Sequence, residues 1–356
     1  VSSEQQAARR KILVFMLARR GCLAYANEMV KLLPTGEIKI YASRESEEPL
    51  PDGSYLIPTF KNKWEFIWRT LRTLPNFLWQ IRWDFQQGYQ IFYFPVFHHW
   101  NPVILLLAKW LGAKTILTIH DAVFHPGEWQ WGQGWFQNRA MRRANRLIVL
   151  SEFVKKQLPV SLQGKTTVIP HPVLLPQTTV PRRVFKLPLR LLFLGRMARY
   201  KGVDLLLEAV KDFSAEKIQH LTLAGLPMQE TVLPETAFPI QKIERWLNES
   251  EITPLLQEHD VLILPYREAS QSGVVALGIP AAIPMVVTKV GGLPEQLAEK
   301  EAVWVEPTVH SIRAGIVQLL ENPNLYENLH QQLLQKQVKA GTNLIRERFE
   351  ACIGEL

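Results

Sequence analysis

Short apolar runs alternate with longer amphipathic stretches along the whole chain. ILVFML (12–17), IKIYA (38–42), IFYFPVF (91–97), TILTIH (115–120), RLIVLS (146–151) and TVIP (167–170) are of strand length, and hydropathy does not alternate within them. Unbroken apolarity over so few residues predicts strands buried on both faces of a parallel sheet. The pattern starts afresh with LRLLFLG (189–195), LTLAG (221–225), DVLILP (260–265), PMVVT (284–288) and AVWV (302–305). Helical-period segments such as 203–213 and 311–320 lie between these runs, and residues 324–349 predict one or two amphipathic helices. Between the two series, LLPQTTVPRRVFKLP (174–188) carries three prolines and reads as a linker. The expected architecture is therefore α/β: two tandem Rossmann-like, doubly wound parallel-sheet domains, at 1–173 and 189–339.

Composition narrows the class without changing that picture. With 47% apolar and 21% charged residues in 356, the chain can fill a core, and disorder is not its theme. Its two cysteines, Cys22 and Cys352, are too far apart in sequence to form a disulfide framework, and a reducing, cytoplasmic compartment is expected. No apolar run reaches the roughly 18 to 20 residues of a membrane-spanning helix. Arg9-Arg10-Lys11 before ILVFMLA imitates a secretory leader, but Arg19-Arg20 follow at once, so the run is read as a first buried strand.

Charge becomes informative when the net +8 is split. Residues 1–173 hold 22 Lys+Arg against 12 Asp+Glu, whereas 174–356 hold 19 against 21. Nine of the eleven tryptophans lie in the basic half, and only Trp246 and Trp304 lie in the other. Two domains of such different surface character should meet different partners.

Candidate chemistry gathers where strands give way to helices. In LLFLGRMARYKGVDLLLEAV a strand ends at Gly195, Arg196 follows, and Lys201-Gly202 precede a helical run. Two cations at the mouth of a βα turn can hold a diphosphate, although such a pair in isolation is more often a pair of solvated turn residues. The turn Ser270-Gln271-Ser272-Gly273 closes DVLILP and leads into a helix whose first amides would face an anion; Gly291-Gly292 forms a further turn of the same kind. In the first half, THDAVFHPGE places His120, Asp121, His125 and Glu128 just after a strand, at spacings that match no standard zinc pattern, and no metal is expected. His98, His99 and His171 read as turn or core histidines. Gly21, between the first strand and first helix, suits close backbone approach to a ligand or a simple turn.

GRMARYKGVDLLLEAV, DVLILPYREASQSGVVAL, PMVVTKVGGLPE, ILTIHD and the LIVLSEFVKKQL to VIPHPV run together resemble the GT-B glycosyltransferases of the family-four type, in the right order over most of the chain. The resemblance implies two domains facing a cleft and a retaining transfer from a nucleotide-diphosphate sugar. No cofactor beyond that donor is expected. Arg196 and Lys201 would hold the donor diphosphate and, with His120, form the catalytic set. Glu268, Ser270, Gln271, Ser272, Gly273 and Val274 would line the donor side, and Gly21, Asp121 and His125 the acceptor side. A terminal helix of about 340–356 is expected to pack back on the first domain. The family's usual pair of glutamates eight positions apart is missing: counting from Glu268 reaches Ala276, and anchoring on Pro284 gives Ala269 and Leu277. The stretch resembles a variant branch with a Gln-Ser-Gly-Val turn, and carboxylate recognition of the ribose is not expected.

Residues 61–85 interleave tryptophan, leucine and phenylalanine with Lys61, Lys63, Arg69, Arg72 and Arg82. Two readings stand side by side: a helix lying on an anionic membrane surface, or a core-facing helix with a solvated basic face. The first would suit a lipid-linked acceptor and peripheral membrane attachment; a growing polysaccharide is the other acceptor expected. No nucleic-acid module is present, and nucleic acid is not an expected partner. A nucleotide-sugar epimerase on the same fold and a non-catalytic nucleotide-sugar or lipid-binding protein are the alternatives to glycosyl transfer.

Overall fold

The strands form where the unbroken apolar runs place them. The computed structural model describes residues 11–33, 36–123, 132–173, 183–339 and 342–356. It contains two all-parallel sheets, one in each of two units that part between Pro172 and Val173.

In unit one the strands are β1 (Lys11–Met16), β2 (Glu37–Ser43), β3 (Tyr55–Ile57), β4 (Tyr89–Phe94), β5 (Lys114–Ile119), β6 (Arg146–Val149) and β7 (Thr166–Val168). Their order across the sheet is β3-β2-β1-β4-β5-β6-β7. The helices between them are α1 (Leu23–Lys31), α2 (Lys63–Arg72), α3 (Leu74–Gln86), α4 (Asn101–Leu111), α5 (Gln133–Arg143), α6 (Glu152–Gln157) and α7 (Val160–Gln163). Because successive side chains of a strand point to opposite faces, β1 serves two cores at once. Leu13 and Phe15 pack with Phe77 and Ile81 of α3, Ile104 of α4 and Ala140 of α5. Ile12, Val14 and Met16 pack with Leu23, Ala26 and Met29 of α1. This second face is completed by the C-terminal helix Thr342–Gly354, which buries Ile345, Phe349, Cys352 and Ile353. Phe349 meets Tyr93 edge-on at 4.9 Å, and the Arg348 guanidinium donates to the Val168 carbonyl at 2.9 Å.

Unit two repeats the plan with β8 (Leu189–Leu194), α8 (Val203–Val210), β9 (Ile218–Ala224), β10 (Ile240–Ile243), α9 (Glu249–Glu258), β11 (Val261–Leu264), α10 (Gly273–Gly278), β12 (Met285–Thr288), α11 (Leu293–Gln296), β13 (Val303–Val305), α12 (Val309–Glu321) and α13 (Pro323–Lys339). The order is β10-β9-β8-β11-β12-β13. Of the linker expected at 174–188, residues 174–182 lie outside the described residues. Arg183 is buried in unit two, where its guanidinium donates to the carbonyls of Leu256, His259 and Ala281. β3 and β10 escape the apolar pattern because each is a short edge strand that holds polar or exposed positions. The segment 324–349 forms parts of two helices, and 61–85 breaks into α2 and α3 at Thr73, ahead of Pro75. Among the described residues no helix is long and apolar enough to cross a membrane.

Strand order reverses direction between β1 and β4 in unit one and between β8 and β11 in unit two. At such a point the loops leave toward opposite sides and open a crevice at the carboxyl ends of the strands. In unit two the backbone closes tightly around it. Gly202 has φ +67°, and a Cβ there would lie 1.9 Å from the Pro265 carbonyl oxygen at the end of β11. A Gly202→Ala substitution is therefore expected to cost about 1–3 kcal/mol of stability from backbone strain, and more if the clash is not relieved. Urea unfolding of the variant against the parent checks this, and an unchanged midpoint would contradict the close approach.

Candidate functional site

Two turns at the switch point of unit two are tied to each other. Arg267, just past β11, makes a paired ion bridge to Asp204 of α8, both bonds at 2.6 Å. Its guanidinium also donates to the Arg199 carbonyl at 2.9 Å, and its backbone N–H to the Tyr200 carbonyl at 2.8 Å. The turn after β8, which carries Arg196 and Lys201, is thus anchored to the turn after β11, which carries Glu268 through Val274.

Tyr266 is where the two turns converge. Its ring lies beneath the Lys201 ammonium, 3.6 Å from Nζ to the centroid, a cation–π contact. Its hydroxyl is 3.3 Å from Ser272 Oγ. Burial pushes the phenol well above its usual pKa, while Ser272 and the Arg196 charge pull the other way. Arg196, Lys201, Tyr266 and Ser272 therefore occupy one neighbourhood. Gly195 joins it from the other strand end, because a Cβ there would touch Val274 Cγ2 at 3.6 Å.

The Ser272 turn is held from behind. Gln296 accepts from the Ser272 backbone N–H at 2.7 Å and donates to its carbonyl at 3.1 Å. Ser272 Oγ in turn caps α10 by accepting from the Val275 N–H. Thr288 Oγ1 donates to the Tyr266 carbonyl at 2.6 Å, and the Gly292 N–H to the Ala269 carbonyl at 3.0 Å. Ser270 is buried, Glu268 is exposed, and Ala276 is buried in α10. Gln271 Oε1 is buried with no hydrogen-bond partner, a state that ordinarily costs about 1–3 kcal/mol.

In unit one, His120 stands at the end of β5, with Nε2 2.9 Å from the Pro95 carbonyl beyond β4. Tyr25 of α1 meets its ring edge-on at 4.7 Å and meets His171 at 5.3 Å. Burial alone would lower the His120 pKa; Cys22, the Pro95 carbonyl and Asp121 outweigh it and hold the imidazolium up to about 9. His171 goes the other way, down to about 4, because burial dominates there and His120 adds to it. The Asp121 carbonyl accepts from Gln137 Nε2 at 2.7 Å. His98 is buried against Phe60 and Trp100, and its pKa falls to about 3 through burial, as a core histidine requires. His125 and Glu128 lie outside the described residues.

Gly21, two residues before α1, has φ +107°. Its N–H donates to the Glu48 carboxylate, which also accepts from the Leu23 and Ala24 amides. Glu47 beside it pairs with Arg19 and, at 3.4 Å, with Arg20. The segment after β2 therefore straps across the β1–α1 turn. Burial raises the Glu48 pKa against the three amides that lower it. Arg19 Nε, Tyr25 OH, Asn27 Oδ1 and His120 Nδ1 are buried here with no hydrogen-bond partner in good geometry. Only Asn101 Oδ1 and Gln271 Oε1 share that state among the described residues, so such atoms concentrate at the strand ends of the two switch points.

Sequence reasoning missed Tyr266, Gln296, Arg267, Tyr25 and Glu48. Tyr266 and Arg267 follow strand DVLILP directly and could have been singled out by position. Gln296, Tyr25 and Glu48 act across the fold, and nothing local marks them. Among the described residues no three His, Cys, Asp or Glu side chains gather as a metal cage.

Two all-parallel α/β units in tandem are the architecture of the GT-B class. Residues 23–175 match the family described as Glycosyltransferase Family 4, and residues 188–322 match Glycosyl transferases group 1; each domain of the chain belongs to a glycosyltransferase family. An uncharacterized glycosyltransferase of Methanocaldococcus jannaschii is 25% identical over 236 residues, and the match spans 63% of this chain and 63% of that relative's length. Sucrose-phosphate synthase from Thermosynechococcus elongatus overlays with a TM-score of 0.67 at 13% identity, covering 98% of this chain and 99% of that one. Anabaena HepE, solved in complex with UDP and glucose, overlays with a TM-score of 0.65 at 12% identity, covering 98% and 100%. These likenesses show the fold.

The His120 environment generates a pH prediction. A folded-state pKa of about 9 against 6.5 unfolded means that its stabilisation is full below pH 6.5 and fades as pH rises through about 9. The His120 ring proton followed by NMR is expected to titrate with a midpoint near 9, and Cys22→Ala to lower it. A midpoint at or below 6.5 in the parent protein would remove the cation from this site.

Proposed function

We propose that the protein transfers a sugar from a nucleoside-diphosphate sugar to a carbohydrate or lipid-linked acceptor, with retention of anomeric configuration. The observation that carries this reading is the Lys201 ammonium seated on the Tyr266 ring at the switch point of unit two, with the Arg196 charge acting on the same phenol. Negative charge develops on a diphosphate as the glycosidic bond breaks, and cations at this turn lower the energy of that state more than that of the intact donor. Lys201 is positioned for this by the ring beneath it, and its turn by the Arg267–Asp204 bridge. Gln271 Oε1 supplies a buried acceptor that a donor hydroxyl or N–H would satisfy.

In the transfer, the bond from the anomeric carbon to the leaving phosphate oxygen breaks and a bond to the acceptor hydroxyl oxygen forms. The hydroxyl proton passes to the departing diphosphate. His120, whose imidazole is drawn toward its charged form by Cys22, the Pro95 carbonyl and Asp121, helps to position the acceptor or the sugar and is not the base. Side chains meet the charge, and the reading needs no cofactor beyond the donor. HepE has been solved with UDP and with UDP-glucose, which puts uridine first among the bases to try. The family matches favour transfer over epimerisation or binding alone.

Thermal shift against UDP, GDP, ADP and CMP tests the donor site. A ligand at 100 times its Kd adds about 2.7 kcal/mol to the folded state, enough to read as a raised Tm. One diphosphate is expected to raise Tm in the parent and not in the Arg196→Ala/Lys201→Ala variant. Either single substitution is expected to lower turnover at least about a hundredfold, the scale of losing an oriented charge stabiliser. Parent-like rates in both would sink the assignment.

A further inference from the structure

The helix α2 is built inside out. Trp64, Ile67, Trp68 and Leu71 follow i, i+3, i+4, i+7 spacing, which in a soluble protein marks the buried stripe. Here that stripe faces solvent: Trp64 is 82% exposed and Leu71 70%, and no residue of α2 is buried. The inward side is held by Phe66, edge-on to Phe60 at 4.9 Å, and by Thr70 Oγ1, which accepts from the Trp100 indole at 2.9 Å. The orientation is thus fixed by contacts on the other face.

The neighbouring helices extend this surface. α3 buries Leu74, Phe77 and Ile81 and turns Trp79 and Trp83 outward, stacked at 6.3 Å. Arg82 lies 5.0 Å over the exposed ring of Trp110 on α4, and Arg139 lies 4.6 Å over that of Trp135 on α5. α3, α4 and α5 cover the same sheet face, and Phe66 of α2 meets Phe136 of α5. Every exposed tryptophan among the described residues belongs to this one layer of four helices. Its cations are Lys63, Arg69, Arg72, Arg82, Lys109, Arg139, Arg142 and Arg143; its only acids are Glu65, engaged at the start of α2, and Asp84, buried against Lys39 and Tyr41.

We propose that this α2–α5 layer is a docking surface for an anionic lipid bilayer, with the rings of α2 at the headgroup boundary and the surrounding arginines and lysines on lipid phosphates. Amphipathic rings favour the interface, and long cationic side chains reach anionic headgroups from beside them. Charge complementarity selects this occupant, because a second copy would bring the same basic layer against itself. The surface belongs to unit one, whereas Arg196 and Lys201 belong to unit two, and the inference does not depend on the donor site.

The test is vesicle flotation of the full chain, with phosphatidylcholine alone and with about 30% phosphatidylserine, at about 0.1 and 0.5 M salt. The parent is expected to float with the anionic vesicles, more weakly at high salt, with a blue shift of tryptophan emission. Trp64→Gln/Trp68→Gln/Leu71→Gln is expected to reduce partition at least about tenfold at unchanged Tm, since these side chains are exposed. Arg69→Gln/Arg72→Gln should weaken binding and flatten its salt dependence. A parent that stays in solution, or a triple variant that floats as well as the parent, overturns the proposal. So does a salt-sensitive dimer that the triple variant converts to monomer, or RNA binding without vesicle binding.

Discussion

Backbone running against backbone at the strand ends of unit two is the constraint from which its chemistry follows. A Cβ at Gly225 would lie 2.0 Å from the Gly195 carbonyl oxygen, and one at Gly202 as close to that of Pro265. Side chains are excluded from these crossings, so the turns after β8, β9 and β11 nest without spacers. That nesting brings Lys201 over the Tyr266 ring and lets Arg267 reach Asp204. Lys201 is held by the ring and its turn by ion pairing, with no ligand needed to place it, which is the preorganisation that electrostatic stabilisation requires.

Unit one meets a similar strand reversal with different means. Its β1–α1 turn is crossed by Glu47 and Glu48, and its strand ends carry histidines with opposed titration: His120 held charged, His171 and His98 held neutral. Burial acts on all three. His120 differs because Cys22 and Asp121 add to its Pro95 carbonyl, whereas His171 has His120 itself as its charged neighbour and His98 Nδ1 accepts from the Trp100 N–H. The same sheet architecture thus places cationic side chains at strand ends, arginine and lysine in one unit and a histidine in the other.

Most of the fold was legible in the chain because a parallel sheet buried on both faces writes itself as unbroken apolar runs. LRLLFLG and DVLILP read as strands with no knowledge of their neighbours. The edge strands Tyr55–Ile57 and Ile240–Ile243 did not, since one flank of each faces water and polar residues are tolerated there. At the candidate site, Arg196 and Lys201 were visible from their place beside glycines at a strand end. Gln296 and Glu48 were not, because they act on turns 24 and 27 residues away, and such pairings exist only once the sheet has formed. The tryptophans of 61–85 announced an unusual surface; which of them face outward depended on the break at Thr73, where one segment becomes two helices with opposite burdens.

The helix Thr342–Gly354 has a consequence for how the chain comes into being. It covers the face of the first sheet formed by Ile12, Val14, Met16 and Tyr93, yet it is synthesised after all of unit two. During vectorial synthesis the amino-terminal unit emerges first and is finished last, with a greasy flank uncovered while some 170 further residues are made. The carboxyl-terminal unit needs no such late arrival. Order of birth and order of completion are therefore reversed, and a ribosome that stalls before the final helix releases one sealed unit and one open one.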